Sequence, residues 1–168
     1  MYYFADPTDF GSPHASEDWV ALIDVWDASF SHDTASSSQE VYTLKALTVP
    51  LTLGYGSISV GSDSGATNAT TSVTNTGNSV IDLDLGGDNM VAGASSISYD
   101  KQKYSTSTFT YSGCSVCNLL APSTTPAYFP IAVTKPTSTA SFYKNIYWGI
   151  AVPIGTAATT HSGTNYFT

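Results

Sequence analysis

The sequence predicts an all-β fold, an antiparallel β-sandwich, and three observations carry that prediction. No stretch of ten or more residues repeats apolar side chains with the 3.6-residue period of a helix. Thr, Ser, Val, Tyr and Ile dominate where helix formers would stand. Short strand-like runs recur between clusters of Gly, Pro, Asn and Ser, the spacing expected of a sandwich. With 168 residues the chain can bury a substantial core without relying on cross-links.

In chain order, Trp19-Val20-Ala21-Leu22-Ile23-Asp24-Val25-Trp26 is the first clear strand. Asp27–Thr34 is polar and is predicted as a loop, and Ser38–Leu44 as the second strand, so the two form a hairpin or a sheet edge. Leu47–Val60 is extended but broken by Pro50, Gly54 and Gly56, which suits an edge or crossover strand. Thr67–Asn75 is a polar strand that ends in an Asn75-Thr76-Gly77-Asn78 turn. The next segment alternates: Ile81, Leu83 and Leu85 are predicted inward, Val80, Asp82 and Asp84 outward, with Gly86–Asn89 ending the strand. Tyr104–Tyr111 is a further polar alternating run. In Tyr147–Val152, the residues Trp148, Ile150 and Val152 share a face. Pro153–Thr156 turns the chain, and Gly163–Phe167 is predicted to pair back. The same alternation assigns both Trp19 and Trp148 to the core.

Eight of the thirteen acids precede Leu47, and the remainder of the chain is rich in Gly, Ser and Thr and nearly neutral. This predicts two parts: an acidic β-hairpin segment over residues 1–46, packed on the rest or on a neighbour, and a sandwich over 47–168. No charged, then apolar, leader opens the chain, and its last residues Tyr166-Phe167-Thr168 have strand character. It is therefore expected to be a piece of a longer secreted protein.

Charge narrows the function. Only 11% of residues are charged, Arg is absent, and the formal net charge is −8. Nucleic-acid binding needs cations against phosphates, and an anionic membrane surface needs the same, so neither is an expected partner. No apolar run is long enough for direct insertion into a bilayer.

Two stretches carry a resemblance. Residues 69–90, ATTSVTNTGNSVIDLDLGGDNM, and 146–168, IYWGIAVPIGTAATTHSGTNYFT, resemble the strand–turn–strand and the closing hairpin of immunoglobulin-like modules in bacterial and archaeal surface proteins. Residues 2–19, beginning YYFADPTDF, resemble the tail of a preceding unit. Together these cover somewhat over a third of the chain. His161 departs from the pattern, standing where the family carries Gly-x-Tyr. The resemblance implies an immunoglobulin-like sandwich in an extracellular, cell-surface setting, with neighbouring domains or subunits of the same protein as partners. It implies no catalytic activity.

Candidate chemistry is sparse. Cys114-Ser115-Val116-Cys117 lacks the further ligands of a zinc site and the helical context of a thioredoxin-type centre. In an oxidising compartment Cys114 and Cys117 are expected to form a local disulfide. Asp6, Asp9, Asp24 and Asp27 supply the hard oxygens that calcium takes, and they are the candidate metal ligands, against a bland role as solvated surface charge. Gly61-Ser62-Asp63-Ser64-Gly65 has no strand-to-helix setting for a nucleophile, and His14, His32 and His161 are scattered. Tyr2, Tyr3, Trp26, Tyr128 and Phe129 could stack on sugars. Lys45 and Asn165 have the residue types of an isopeptide cross-link. The expected function is that of a non-catalytic extracellular structural or adhesive module. The alternative is a carbohydrate-binding module of a secreted enzyme with a glycan or protein ligand, and a small secreted hydrolase ranks third.

Overall fold

Strand-forming residues and turn signals assemble here into two packed sheets and two hairpins. The computed structural model describes residues 5–137 and 142–168. Its strands are β1 (Trp19–Trp26), β2 (His32–Gln39), β3 (Leu47–Thr48), β4 (Ala69–Asn75), β5 (Ile81–Gly87), β6 (Met90–Ala92), β7 (Ser95–Ile97), β8 (Gln102–Ser105), β9 (Asn118–Leu119), β10 (Ala121–Pro122), β11 (Ala127–Val133), β12 (Tyr143–Ile150) and β13 (Asn165–Phe167). The only helical element among the described residues is a single 3-10 turn at Tyr99–Lys101. One sheet runs β3-β4-β12-β8-β9; the other centres on β5, flanked by β10, β11 and β13. All pairings are antiparallel except β10 with β5.

The core lies between these sheets. On β5, Ile81, Leu83 and Leu85 are buried while Asp82 and Asp84 are exposed, as their alternation predicts. Phe129, Ile131 and Val133 come from β11, Val73 from β4, and Ile146 and Trp148 from β12. Four aromatic rings bridge the layers. Tyr104 meets Phe129 edge-on at 5.0 Å and Trp148 at 5.3 Å between centroids, and Trp148 meets Phe167 at 6.0 Å. Such pairs add about 0.5–1.5 kcal/mol each beyond the area they bury.

The Asn75–Asn78 turn organises one end of the core. Asn75 is buried; its Nδ2 donates to the carbonyls of Ser79 (2.7 Å) and Val133 (2.9 Å), and its Oδ1 accepts from the Gly77 amide (2.8 Å). The incoming chain is laced to the same turn. Leu44 N–H donates to Asn78 Oδ1 (2.7 Å), Asn78 Nδ2 to the Tyr42 carbonyl (3.0 Å), and Thr76 N–H to the Ala46 carbonyl (3.0 Å). Gly77 passes so close to the Leu44 carbonyl and the Ala46 amide that a Cβ there would collide with backbone.

Several elements differ from expectation. β2 starts at His32, so the loop is only Asp27–Ser31, and Val41–Leu44 lies beyond the strand. Of Leu47–Val60 only Leu47–Thr48 is strand; Pro50 and the two glycines leave the remainder as an unpaired strap. The 104–111 run is strand only to Ser105. β5 runs on through Gly86 and Gly87 because β13 and β10 supply partners there. β13 does not pair back on β12; it crosses to β5 in the opposite sheet, pairing Phe167 with Leu85.

Candidate functional site

The most unusual feature of the surface is β1–β2. Trp19 pairs with Gln39 and Trp26 with His32, full length and antiparallel. β1 forms because β-branched and aromatic residues fill it. β2, His32-Asp33-Thr34-Ala35-Ser36-Ser37-Ser38-Gln39, carries no large apolar residue and is held by its pairing. The turn between them is closed by Asp27. Its N–H donates to the Ser31 carbonyl (2.9 Å), its carbonyl accepts from Phe30 (3.1 Å), and its Oδ1 accepts from the Ser29 and Ser31 amides (2.7 and 3.0 Å). Phe30 takes the left-handed conformation that a three-residue loop requires, with φ of 62°.

Every residue of this hairpin is exposed. Trp19, Val20, Leu22, Ile23, Val25 and Trp26 are between 48% and 68% exposed. Trp19 is therefore not a core residue. Its alternation matches that of Trp148, but no described sheet packs over it; its indole N–H instead donates to the Asp6 carbonyl (2.9 Å) and pins the hairpin base. One face carries Trp19, Ala21, Ile23 and Val25. The other carries Val20, Leu22, Asp24 and Trp26, with Trp26 stacked on His32 at 4.4 Å. The Asp27–Ser31 bond sets the phase of the ladder: Trp19, Ala21, Ile23 and Val25 turn their backbone groups to β2. Val20, Leu22, Asp24 and Trp26 turn theirs to the open edge.

The four acids expected as calcium ligands stand on separate partners. Asp6 pairs with Lys135. Asp9 accepts from the Thr43 hydroxyl (2.7 Å), which holds its carboxyl below the usual range. Asp24 lies mid-strand opposite Thr34, and Asp27 caps the hairpin loop. No cluster of three or more His, Cys, Asp or Glu that could hold a metal occurs among the described residues.

Cys114 and Cys117 are joined, with Cα atoms 5.6 Å apart. The Lys103 ammonium clamps this turn, donating to the carbonyls of Tyr111 (3.0 Å) and Cys114 (3.3 Å). A ring this small removes little unfolded-chain entropy, about 2 kcal/mol at most. Reduction is expected to lower the melting temperature by only a few degrees in calorimetry. Two thiols titrating in the unreduced, denatured protein would refute the bond.

A cleft of about 610 Å³ lies between the 53–60 strap and residues 156–161, and a second of about 300 Å³ adjoins it. In the second, the buried Gln102 accepts from the Tyr55 hydroxyl (2.7 Å) and from Asn165 Nδ2 (2.9 Å). Burial, and secondarily Tyr111, pushes the Tyr55 phenol up, so it stays a neutral donor. His161 sits between the clefts. Its Nδ1 donates to the Thr159 carbonyl (3.0 Å), and Nε2 lies 3.0 Å from the Ser95 hydroxyl, from which the neutral ring accepts. Ser95 Oγ also accepts from the Ala157 amide (3.0 Å). This pair has the polarity of a serine–imidazole dyad, but the imidazole is oriented by a carbonyl rather than a carboxylate. Its evident work is to tie the 156–162 loop to β7.

On the outer face of β5, Tyr128 donates to Asp82 (2.7 Å) and Tyr166 to Asp88 (3.0 Å), and both rings remain exposed. These bonds push both phenols up and, from Tyr128, pull Asp82 down. Phe129 points into the core instead. Tyr2 and Tyr3 lie outside the described residues. Asn165 is taken by Gln102, while Lys45 lies near Asp82, so this pair is not brought together. In the 61–65 turn, Asp63 accepts from the Gly65 amide (2.7 Å) and Ser64 from Ile150 (3.2 Å), both structural contacts. Sequence reasoning missed the open edge of β1; the signal was a strand apolar on both faces beside a wholly polar one. Comparisons with protein families, with curated proteins and with solved structures find no match to the chain.

Proposed function

We propose that this chain is a non-catalytic structural or adhesive module of a microbial cell-surface or filament protein, working outside the cell. Residues 47–168 make an immunoglobulin-like unit, and residues 1–46 make the joint to a neighbouring domain or subunit. The observation that carries this reading is the β1–β2 hairpin, whose apolar strand is exposed on both faces. An isolated two-stranded hairpin is marginal in water, and large apolar patches mark interaction surfaces. The low charge, the Ser/Thr-rich surface and the small disulfide suit an oxidising exterior. A calcium ion at such a joint would draw on Asp6, Asp9, Asp24 or Asp27 together with oxygens from the neighbour.

The test is mechanical. Residues 47 and 167 belong to different sheets, so tension between them must part the core. Stretched by atomic force microscopy between two reference domains, the chain is expected to give one cooperative peak that releases about 40 nm of backbone. Extension with no resolvable peak would sink the mechanical part of the proposal.

A second reading, a carbohydrate-binding module, is favoured by Tyr128 and Tyr166, two exposed rings held rigid by aspartates on one sheet face. A rigid aromatic face suits a pyranose. A glycan-array screen with Tyr128→Ala/Tyr166→Ala as control separates the two readings.

A further inference from the structure

We propose that the open edge of β1 is the contact between two copies of this chain, paired antiparallel about a two-fold axis at Leu22. The inference rests on the module reading and names the partner at its joint.

Four observations converge on a second copy. First, no third strand pairs with the hairpin among the described residues, and on the β1 side Val20, Leu22, Asp24 and Trp26 already present N–H and C=O groups in ladder phase. Second, polarity fits. In a sheet ordered β2-β1-β1-β2 the apolar strands are central and the serine-rich strands are outermost.

Third, the apolar side chains gain neighbours. The six large apolar residues of β1 are roughly half to two-thirds exposed, and a strand paired at the open edge lies against the flank of each.

Fourth, register and charge agree. A two-fold normal to a sheet sets like faces together, so outward-pointing residues must pair with outward-pointing residues. With Leu22 opposite Leu22 of the second copy, Val20 faces Asp24, Trp19 faces Val25 and Ala21 faces Ile23, each large side chain against a small or medium one. Asp24 is the only charge on β1. This register sets the two Asp24 residues about 14 Å apart, beyond the screening length of about 8 Å at physiological salt. Centring on Ala21 would instead set Asp18 directly against Asp24 of the second copy, whereas in the Leu22 register Asp18 faces Trp26. The closed two-fold consumes both β1 edges and leaves only the serine-rich β2 edges outermost.

The experiment is sedimentation equilibrium of the full chain over a range of concentrations, at about 0.05 M and about 0.5 M NaCl. The expected result is a monomer–dimer equilibrium that tightens with salt, because both copies carry a net charge of −8. Leu22→Lys places two like charges on the axis while keeping the N–H, and is expected to weaken the dimer at least tenfold. Leu22→Pro removes an outward N–H and is expected to act in the same direction. Ser37→Lys, on the outer strand, is expected to leave the constant within about twofold. A chain that stays monomeric throughout, a dimer indifferent to both Leu22 variants, or equal loss from Ser37→Lys would each overturn the two-fold. The force peak recorded on monomeric Leu22→Lys reads the module by itself, so the pairing can fail while the module reading stands, and the reverse.

Discussion

Cutting Trp148 to Ala is expected to cost about 3–5 kcal/mol of unfolding free energy, the range for large buried aromatics. The ring is fully buried on β12, where its backbone is paired on both sides, with Ala69 and with Tyr104. It fills the space between Tyr104 of one sheet and Phe167 of the other, so its removal opens a void that touches both layers. Its indole N–H has no acceptor among the described residues, so the ring contributes through burial and packing alone. Trp148→Phe should therefore lose less than half as much, since it keeps an aromatic and deletes a donor without a partner. Against a typical total of about 5–15 kcal/mol, the Ala variant should melt on the order of 10 °C lower. Urea titration of both variants is the measurement. A loss below about 1 kcal/mol for Ala would mean that the ring does not fill the inter-sheet space.

Asn75→Ala should be nearly as damaging, by a polar route. The side chain is 1% exposed and satisfies three backbone groups: the Gly77 amide and the carbonyls of Ser79 and Val133. Each group left unpartnered in a dry site costs about 1–3 kcal/mol, so the variant should lose on the order of 3–5 kcal/mol. Asn75→Asp is an informative companion. It keeps the acceptor for Gly77 but loses both donations and buries a charge, so it should be at least as unstable at neutral pH and recover as the carboxyl is protonated. The sign comes from burial, which raises the folded-state pKa and makes the native state bind the proton more tightly than the unfolded chain. Guanidinium melts at two pH values check both statements, and an Asn75→Ala loss under about 1 kcal/mol would show that water replaces the amide.

Trp148 and Trp19 mark the boundary between what a local pattern conveys and what it does not. Both stand in runs of equal alternation, and alternation reports which side chains share a face. Whether another layer covers that face depends on distant pairing, which no local pattern encodes. Ile81, Leu83 and Leu85 are legible because acids separate them, and Asn75–Asn78 because its residues are turn formers. β2 is not: His32–Gln39 has no apolar period, and it becomes a strand only because β1 lies beside it. The 47–60 strap reads as extended and is, but Gly54, Gly56 and Pro50 leave it without a ladder. β13 is legible as a strand but not as a partner of β5. Of the candidate sites, the Cys114–Cys117 ring is legible from its short spacing together with an oxidising setting. The acids are legible as a cluster in sequence, yet their separate hydrogen-bond partners are a matter of three dimensions. The open edge of β1 depends on hydrogen-bond phase, which one backbone contact at Asp27 determines.

The crossing of β13 to β5 has a consequence for how the chain is made. Its partners Leu85 and Phe167 are separated by roughly eighty residues, as are Ala69 and Trp148 in the other sheet. The β4 sheet cannot close before β12 has been synthesised, nor the β5 sheet before β13, and contacts of such long range form slowly. β1–β2, by contrast, is a local hairpin of the kind that forms within about 1–10 μs. During synthesis at about 5–20 residues per second, an apolar strand edge is therefore complete many seconds before the core it belongs beside. The nascent chain passes through a long interval in which its stickiest element is finished and its most stable one is not. Chaperone dependence and the yield of soluble protein should track the length of that interval more closely than the stability of the finished fold.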